Sequence, residues 1–211
     1  MALNANALVT LANMKSFLGI TDAASDTEIT RLINVASQSI ERVTLRVLVN
    51  STHTEYLDGR RTNLLQTRQW PITGGASPNG KPEIYLDDGN GDFPISTLLD
   101  DTTYWVHEMG TQIIRRVNWP LGYRNIKIVY TSGYGVGGAS AAMPSDLEDA
   151  AMQYVGWLYR MNNDRRLGVD TKTKLGETVR YTQGIPEFIQ NLIEPYVRQE
   201  FPVSNVPVRN G

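Results

Sequence analysis

The sequence predicts an α+β fold: a small helical bundle, built from a long N-terminal helix and C-terminal helices, packed with an antiparallel β-meander and followed by an extended C-terminal tail. Three observations predict it. Helical apolar spacing runs through residues 11–47 and returns after Pro144, β-former runs occupy the stretch between, and residues 197–211 carry no period. Helices, then strands, then helices is the order of an α+β domain, whereas a doubly wound sheet alternates them.

Leu11, Met14, Phe17 and Leu18 share one helical face. Thr10 stands as N-cap, and Gly19 with Ile20 forms a glycine stop with its apolar partner, which predicts a short first helix. Ser25 and Glu28 have capping-box spacing. Behind them Ile29, Ile33, Ala36, Ile40, Val43 and Val47 repeat in steps of four and three, with Leu32 and Val35 widening the stripe, so the second helix is long and amphipathic.

From Thr52 the pattern becomes that of strands. Residues 52–57 are rich in β-formers and stop at Asp58-Gly59; further strands are expected at 83–86, 103–108, 111–116 and 126–131. Met109-Gly110 sits where a tight hairpin turn belongs, and Leu121-Gly122 precedes the last strand. Residues 60–81 and 87–99, broken by glycine and proline, read as projecting loops. Past Gly133 and Gly138, Pro144 introduces a second capping box, Ser145 with Glu148, and Leu147, Ala151, Tyr154, Leu158 and Met161 lie on one helical face. Residues 162–184 are polar and weakly patterned. Pro186 then opens a final helix carrying Ile185, Ile189, Leu192 and Tyr196, interrupted at Pro195. Residues 1–196 are therefore expected to form a single domain and 197–211 a tail. The stripes Ile29, Ile33, Ala36, Ile40, Val43 and Leu147, Ala151, Tyr154, Leu158 are both expected to pack on the sheet and form one core.

Twenty Lys and Arg against 22 Asp and Glu give a net charge of −2, without the cation excess that coats DNA or anionic lipid. The absence of cysteine excludes disulfides, thiolate metal sites, iron–sulfur clusters and cysteine nucleophiles. No apolar run approaches the roughly 20 residues that cross a bilayer, and residues 1–10 have no basic leader region, so a soluble, unprocessed protein without membrane contact is expected.

Several formal motifs lack the context their chemistry needs. Gly133, Gly135 and Gly138 spell G-x-G-x-x-G after a strand, but Ala139–Met143 separate them from the helix that would hold a pyrophosphate. Gly75, Gly80 and Lys81 fit a phosphate-loop skeleton, yet Pro82 replaces the magnesium-binding hydroxyl and a strand follows. Asp88, Asn90 and Asp92 copy the first ligands of a calcium loop, with Phe93 and Leu99 where glycine and glutamate belong; a β-turn built on Asp-Gly and Asn-Gly explains the same residues with fewer demands than a weak surface cation site. His53 and His107 lack metal-ligand spacing and a nucleophile signature. No catalytic, cofactor or metal residue is assigned. The pairs Arg60-Arg61, Arg115-Arg116 and Arg165-Arg166 are either solvated element ends or contacts to acidic patches on a partner or neighbouring copy.

Taken in order, the motifs Leu-x-x-Met-Lys-x-Phe-Leu-Gly-Ile (11–20), Ile-Glu-Arg-Val-Thr (40–44), Thr-Glu-Tyr-Leu-Asp-Gly (54–59), Trp-Pro-Ile (70–72), Tyr-Trp-Val (104–106) and Trp-Pro-x-Gly-Tyr-Arg-Asn-Ile-Lys-Ile-x-Tyr-Thr-x-Gly-Tyr (119–134) continue into Met-Pro-Ser-Asp-Leu-Glu-Asp-Ala and a helix. In this the chain resembles the head–tail connector (adaptor) proteins of tailed bacteriophages, the gp6-like group. The resemblance implies a non-enzymatic virion component, made in the host cytoplasm. Such a protein forms a homo-oligomeric ring of about twelve copies under the portal, joins portal to tail, and lets DNA pass without sequence-specific binding. Neighbouring neck, tail-completion or tail proteins would be its other partners. Within this reading Val197, Phe201, Pro202, Val203, Val206, Pro207 and Val208 make the tail an extended portal-docking arm, and the six arginines above are candidate inter-subunit contacts. The alternatives are another neck or tail-completion protein, or a nucleotide-binding or hydrolytic enzyme using the glycine-rich loops.

Overall fold

The computed structural model describes residues 1–107, 110–137, 142–163, 171–174, 177–180 and 184–198. The chain is α+β, with antiparallel sheets and four α-helices among these residues. The helices are α1 (Leu11–Leu18), α2 (Asp26–Thr44), α3 (Ser145–Asn163) and α4 (Glu187–Ile193), the last running into a 3₁₀ turn at Glu194–Tyr196.

Local chemistry explains most boundaries. Thr10 caps α1, its hydroxyl accepting from the Asn13 N–H at 3.1 Å, and Gly19 closes it at φ 69°. Neither capping box forms. Ser25 holds αR backbone angles and makes no cap bond, while the Glu28 carboxylate instead accepts from the Asn162 amide of α3. Ser145 lies inside the first turn of α3, and Glu148 accepts from the Asn13 amide at 3.0 Å. Both glutamates thus tie helix to helix. Helix α2 ends at Thr44, where Leu45 adopts left-handed angles, so Val47 lies beyond it; Val43 and Val35 face solvent.

Strands β1 (Ser51–Gly59), β2 (Leu64–Gln66), β3 (Ile72–Gly74), β4 (Glu83–Leu86), β5 (Tyr104–Val106), β6 (Gln112–Arg115) and β7 (Gly122–Ser132) form two sheets. They do not follow one another in chain order. The long β7 is a hub: β1 pairs along one side of it, while β3 and β4 share the other side in tandem. The second sheet has the order β2-β6-β5. Two strands therefore lie within 60–81, where the sequence suggests only a loop. Residues 87–99 leave β4 and return so that Leu98 bridges Tyr85 outside it. A further hairpin, β8 (Thr171–Lys174) with β9 (Glu177–Arg180), occupies the weakly patterned segment 162–184.

The single core expected from the two helical stripes is a pair of cores. Ile29, Ile33, Ala36 and Ile40 of α2 bury against Leu147, Ala151, Tyr154 and Val155 of α3, with Met14, Ile189 and Ile193 closing the bundle. Ile126, Ile128 and Tyr130 of β7, with Ile84, face Leu65, Tyr104, Ile113 and Trp119 in a separate cluster between the sheets. Helix pairs satisfy one another's apolar faces, so the sheets use their own inner faces.

The two units join where β7 meets the bundle. Tyr134 N–H donates to the Leu48 carbonyl (2.8 Å) and Asn50 N–H to the Tyr134 carbonyl (2.9 Å). Gly133 stands here at φ 101°, and a Cβ on it would lie 2.7 Å from the Val49 oxygen and 2.8 Å from that of Leu48. Gly133→Ala should therefore cost about 1–3 kcal/mol from backbone strain alone, with the clash added. Gly89→Ala has a similar φ of 98° and open space around it, and isolates the strain. Denaturant midpoints should fall further for Gly133→Ala than for Gly89→Ala; equal losses would contradict the close approach.

Candidate assembly surfaces

The glycine and carboxylate motifs are used by the fold itself. Gly135 accepts from Met143 N–H at 3.0 Å, and Gly138 lies outside the described residues. The segment around Gly75 and Gly80 is a tight turn: Gly80 N–H donates to the Ser77 carbonyl and Lys81 N–H to Ser77 Oγ. Lys81 Nζ is spent on the carbonyls of Asp101 (2.6 Å) and Tyr104 (3.2 Å). Asp87 Oδ1 accepts from Gly89 and Gly91 N–H, and Asp88 Oδ1 from Asn90 N–H, so these carboxylates close their own turns. The bond from Asn90 leads the causes that hold the Asp88 carboxyl below its ordinary range. Among the described residues no three His, Asp or Glu side chains converge in a way that could hold a metal.

His53 lies on β1 directly opposite Tyr130 of β7. Its Nε2 shares a hydrogen bond with Ser51 Oγ at 3.0 Å, and the Tyr130 hydroxyl donates to Glu55 Oε1 at 2.6 Å while accepting from Gln69 N–H. Burial pushes the His53 pKa down, against the opposing pull of Glu55. An unfolded chain therefore takes up this proton first as pH falls below the ordinary value of about 6.5, and stability drops with it. Glu41, raised by burial, works the other way, since the folded state holds its proton more readily. His53→Gln should make the fall in melting temperature between pH 7.5 and 5.5 shallower than in the parent; parallel pH curves would show that His53 does not contribute.

The C-terminal end of the described chain is pinned by a residue that the sequence does not advertise. Arg46 is 3% exposed and stacks on Trp70, its guanidinium carbon 3.5 Å from the ring centroid. It donates Nη1–H to the Tyr196 carbonyl at 3.0 Å and Nη2–H to the Trp70 carbonyl. Desolvation lowers the Arg46 pKa from its ordinary value. The Tyr196 hydroxyl donates to Asp146 Oδ1 at 2.6 Å and its ring packs edge-on to Tyr134. Burial, and after it the bond to Asp146, push the phenol upward. Arg198 N–H then donates to the Thr44 carbonyl at 2.8 Å. Val197 and Arg198 thus belong to the folded unit, while Phe201, Pro202, Val203, Val206, Pro207 and Val208 lie outside the described residues. The one signal in the sequence was a lone arginine in the apolar run 45–49.

Two arginine pairs meet at the end of the sheets farthest from the bundle. Arg60 and Arg61 follow β1; Arg115 ends β6, and its N–H donates to the Asn63 carbonyl while Trp119 N–H donates to that of Thr62. Arg115 stacks over Trp119 at 4.8 Å and is half-buried; Arg60, Arg61 and Arg116 are exposed. Arg124, over Tyr56 at 5.1 Å, joins them. Val117 and Leu121 are exposed in the β6–β7 connection, and Tyr123, at the start of β7, is exposed by 82%. Arg165 and Arg166 lie outside the described residues.

The described chain is thus a helical bundle carrying a β-sandwich, with Tyr196 and Arg198 held beside the bundle and a distal tip that is basic and apolar-spotted. Residues 8–66, which hold α1, α2, β1 and β2, match the family model of the phage gp6-like head-tail connector proteins. Over 96% of its length the chain superposes on 98% of a chain in the neck of an empty GTA particle computed with C6 symmetry, at a TM-score of 0.60 and 17% identity. The fold also matches chains from the neck of a native GTA particle computed with C12 symmetry (TM-score 0.58, 18% identity) and the virion of a native gene transfer agent particle (0.56, 18%), covering 96% of this chain and 95% of each of those. No curated protein sequence matches the chain.

Proposed function

We propose that this chain is a structural, non-enzymatic component of the neck of a tailed phage or phage-like particle. In this reading it is a head–tail connector that assembles as a homo-oligomeric ring of about twelve copies, joins the portal to the tail, and leaves a passage through which DNA moves. The observation that carries the reading is the match of residues 8–66 to the connector family, supported by near-full-length agreement of fold with chains from particle necks solved with six- and twelvefold symmetry. The fold and the family match thus point the same way.

The small net charge suits a subunit that lets DNA pass without gripping it. The tail beyond Arg198 is proposed as the portal-docking arm: Phe201, Val203, Val206 and Val208 supply apolar side chains, and Pro202 and Pro207 keep the segment from continuous helix. At roughly 3.3 Å per residue an extended arm from 199 to 211 reaches about 40 Å from the pinned Arg198.

Deleting the gene tests the role. Packaged heads should accumulate without attached tails, and the full chain supplied in trans should restore joined particles. Tailed particles at normal yield without the protein would refute the connector reading.

A further inference from the structure

We propose that copies of this chain join edge to edge through their β-sandwiches, the basic β1–β2 edge of one copy meeting the acidic β4–β5 edge of the next. This rests on the ring-forming reading above and names its contact.

The charges of the β region are segregated. Residues 51–70 and 115–131 hold Arg60, Arg61, Arg68, Arg115, Arg116, Arg124 and Lys127 against two carboxylates, Glu55 and Asp58. Residues 82–114 hold seven carboxylates and no lysine or arginine. Topology turns this division into two sides. In the first sheet β1 and β4 flank β7, and in the second β2 and β5 flank β6. The sheets stack with like beside like. Glu55 of β1 accepts from Arg68 N–H just past β2, while the Tyr104 hydroxyl of β5 donates to the Pro82 carbonyl just before β4. One edge of the sandwich therefore ends in Arg60, Arg61 and Arg68, all exposed, and the other carries half-buried Glu83 and exposed Asp100, both close to Tyr104 of β5.

Little inside the subunit neutralises either side. Lys15–Asp26, in the helical bundle, is the one ion pair among the described residues. Two cations reach the acidic side: Lys81 is committed to backbone carbonyls, and Lys127 lies over the Tyr85 ring at 4.9 Å. Glu55 and Asp58 on the basic side already accept hydrogen bonds, Asp58 from Arg124 N–H at 2.7 Å.

The arrangement fits a heterologous contact. A ring needs two different, complementary surfaces on opposite sides of each subunit, and it closes only if successive copies do not climb along the axis. The register supplies both conditions when the strands run along that axis. Leu57, Ile126 and Leu86 stand level across β1, β7 and β4, so Asp87 on one side and Asp58 on the other mark the same height, with Arg60 just above. On the basic side β1 pairs only with β7 among the described strands, which leaves its outer edge free for the neighbour. Charge complementarity then selects the partner and the direction of stacking.

The test uses the full chain and sedimentation velocity at low salt. The parent should associate, and association should weaken steeply with added NaCl. Arg60→Glu/Arg61→Glu and Glu83→Lys/Asp100→Lys should each remain monomeric with nearly unchanged melting temperatures. Mixed one to one, the two variants should co-assemble, because one now has two acidic edges and the other two basic ones. Variants that assemble like the parent would remove the edge pairing and leave the ring reading standing. Failure of the mixture to co-assemble would also overturn the pairing, as would a parent chain that stays monomeric at low salt. The gene-deletion result judges the connector role independently of all three.

Discussion

Truncation after Arg198 is expected to abolish joining of tails to heads while leaving the folded unit intact. The clamp explains why the cut belongs there. Arg46, Asp146, Tyr134 and the Thr44 carbonyl hold Tyr196 and Arg198, so a deletion starting at Val197 would remove part of the folded unit along with the arm. If residues 199–211 act as such an arm, their removal should stay within the roughly 0.5 kcal/mol typical of surface changes, a shift of about 2 °C or less in melting temperature. An arm that orders only against its partner is worth nothing to the isolated subunit and a great deal to the assembly. Thermal melts of the truncated chain, with counts of tailed particles after complementation, separate the two effects. Normal joining by the truncated chain would place the docking surface in the folded domain.

The second large effect is on stability. Ile40 is fully buried where α2 faces α3, and Ile40→Ala should cost about 2–5 kcal/mol, the range for removing a large aliphatic side chain from a packed core. Val43, one turn further along the same sequence stripe, is 43% exposed because α2 ends at Thr44 and turns away; Val43→Ala should change stability by less than roughly 0.5 kcal/mol. Urea unfolding of both variants measures the contrast. Comparable losses would mean that the bundle packs through a different face of α2.

The helices were legible in the sequence because their information is local. Thr10 and Gly19 bracket α1, and Ile29 to Ile40 mark the buried face of α2. The same locality explains the errors. A capping box is recognised by spacing, yet Glu28 and Glu148 bond to Asn162 and Asn13, more than a hundred residues away in sequence. Strands β2 and β3, three residues each, are too short to show a period, and their place is fixed by Ile114 and Ser132 on distant strands. That β7 serves three partners cannot be read from its own alternation, which predicts only one buried face. The two cores escaped notice because an apolar stripe states that something covers it and not what. At the assembly surfaces, the arginine pairs were visible as pairs. Their gathering at one end depends on the β2–β6 register, and the Arg46 clamp joins four segments that no single motif contains.

The central claim is that this chain forms the connector ring of a particle neck, and a symmetry-averaged electron cryomicroscopy reconstruction of the neck of particles carrying it tests that claim most directly. The account predicts a ring of about twelve copies between portal and tail, each copy fitting the helical bundle and two-sheet sandwich described above. Neck density that does not accommodate this fold, or the fold appearing elsewhere in the particle, would contradict it.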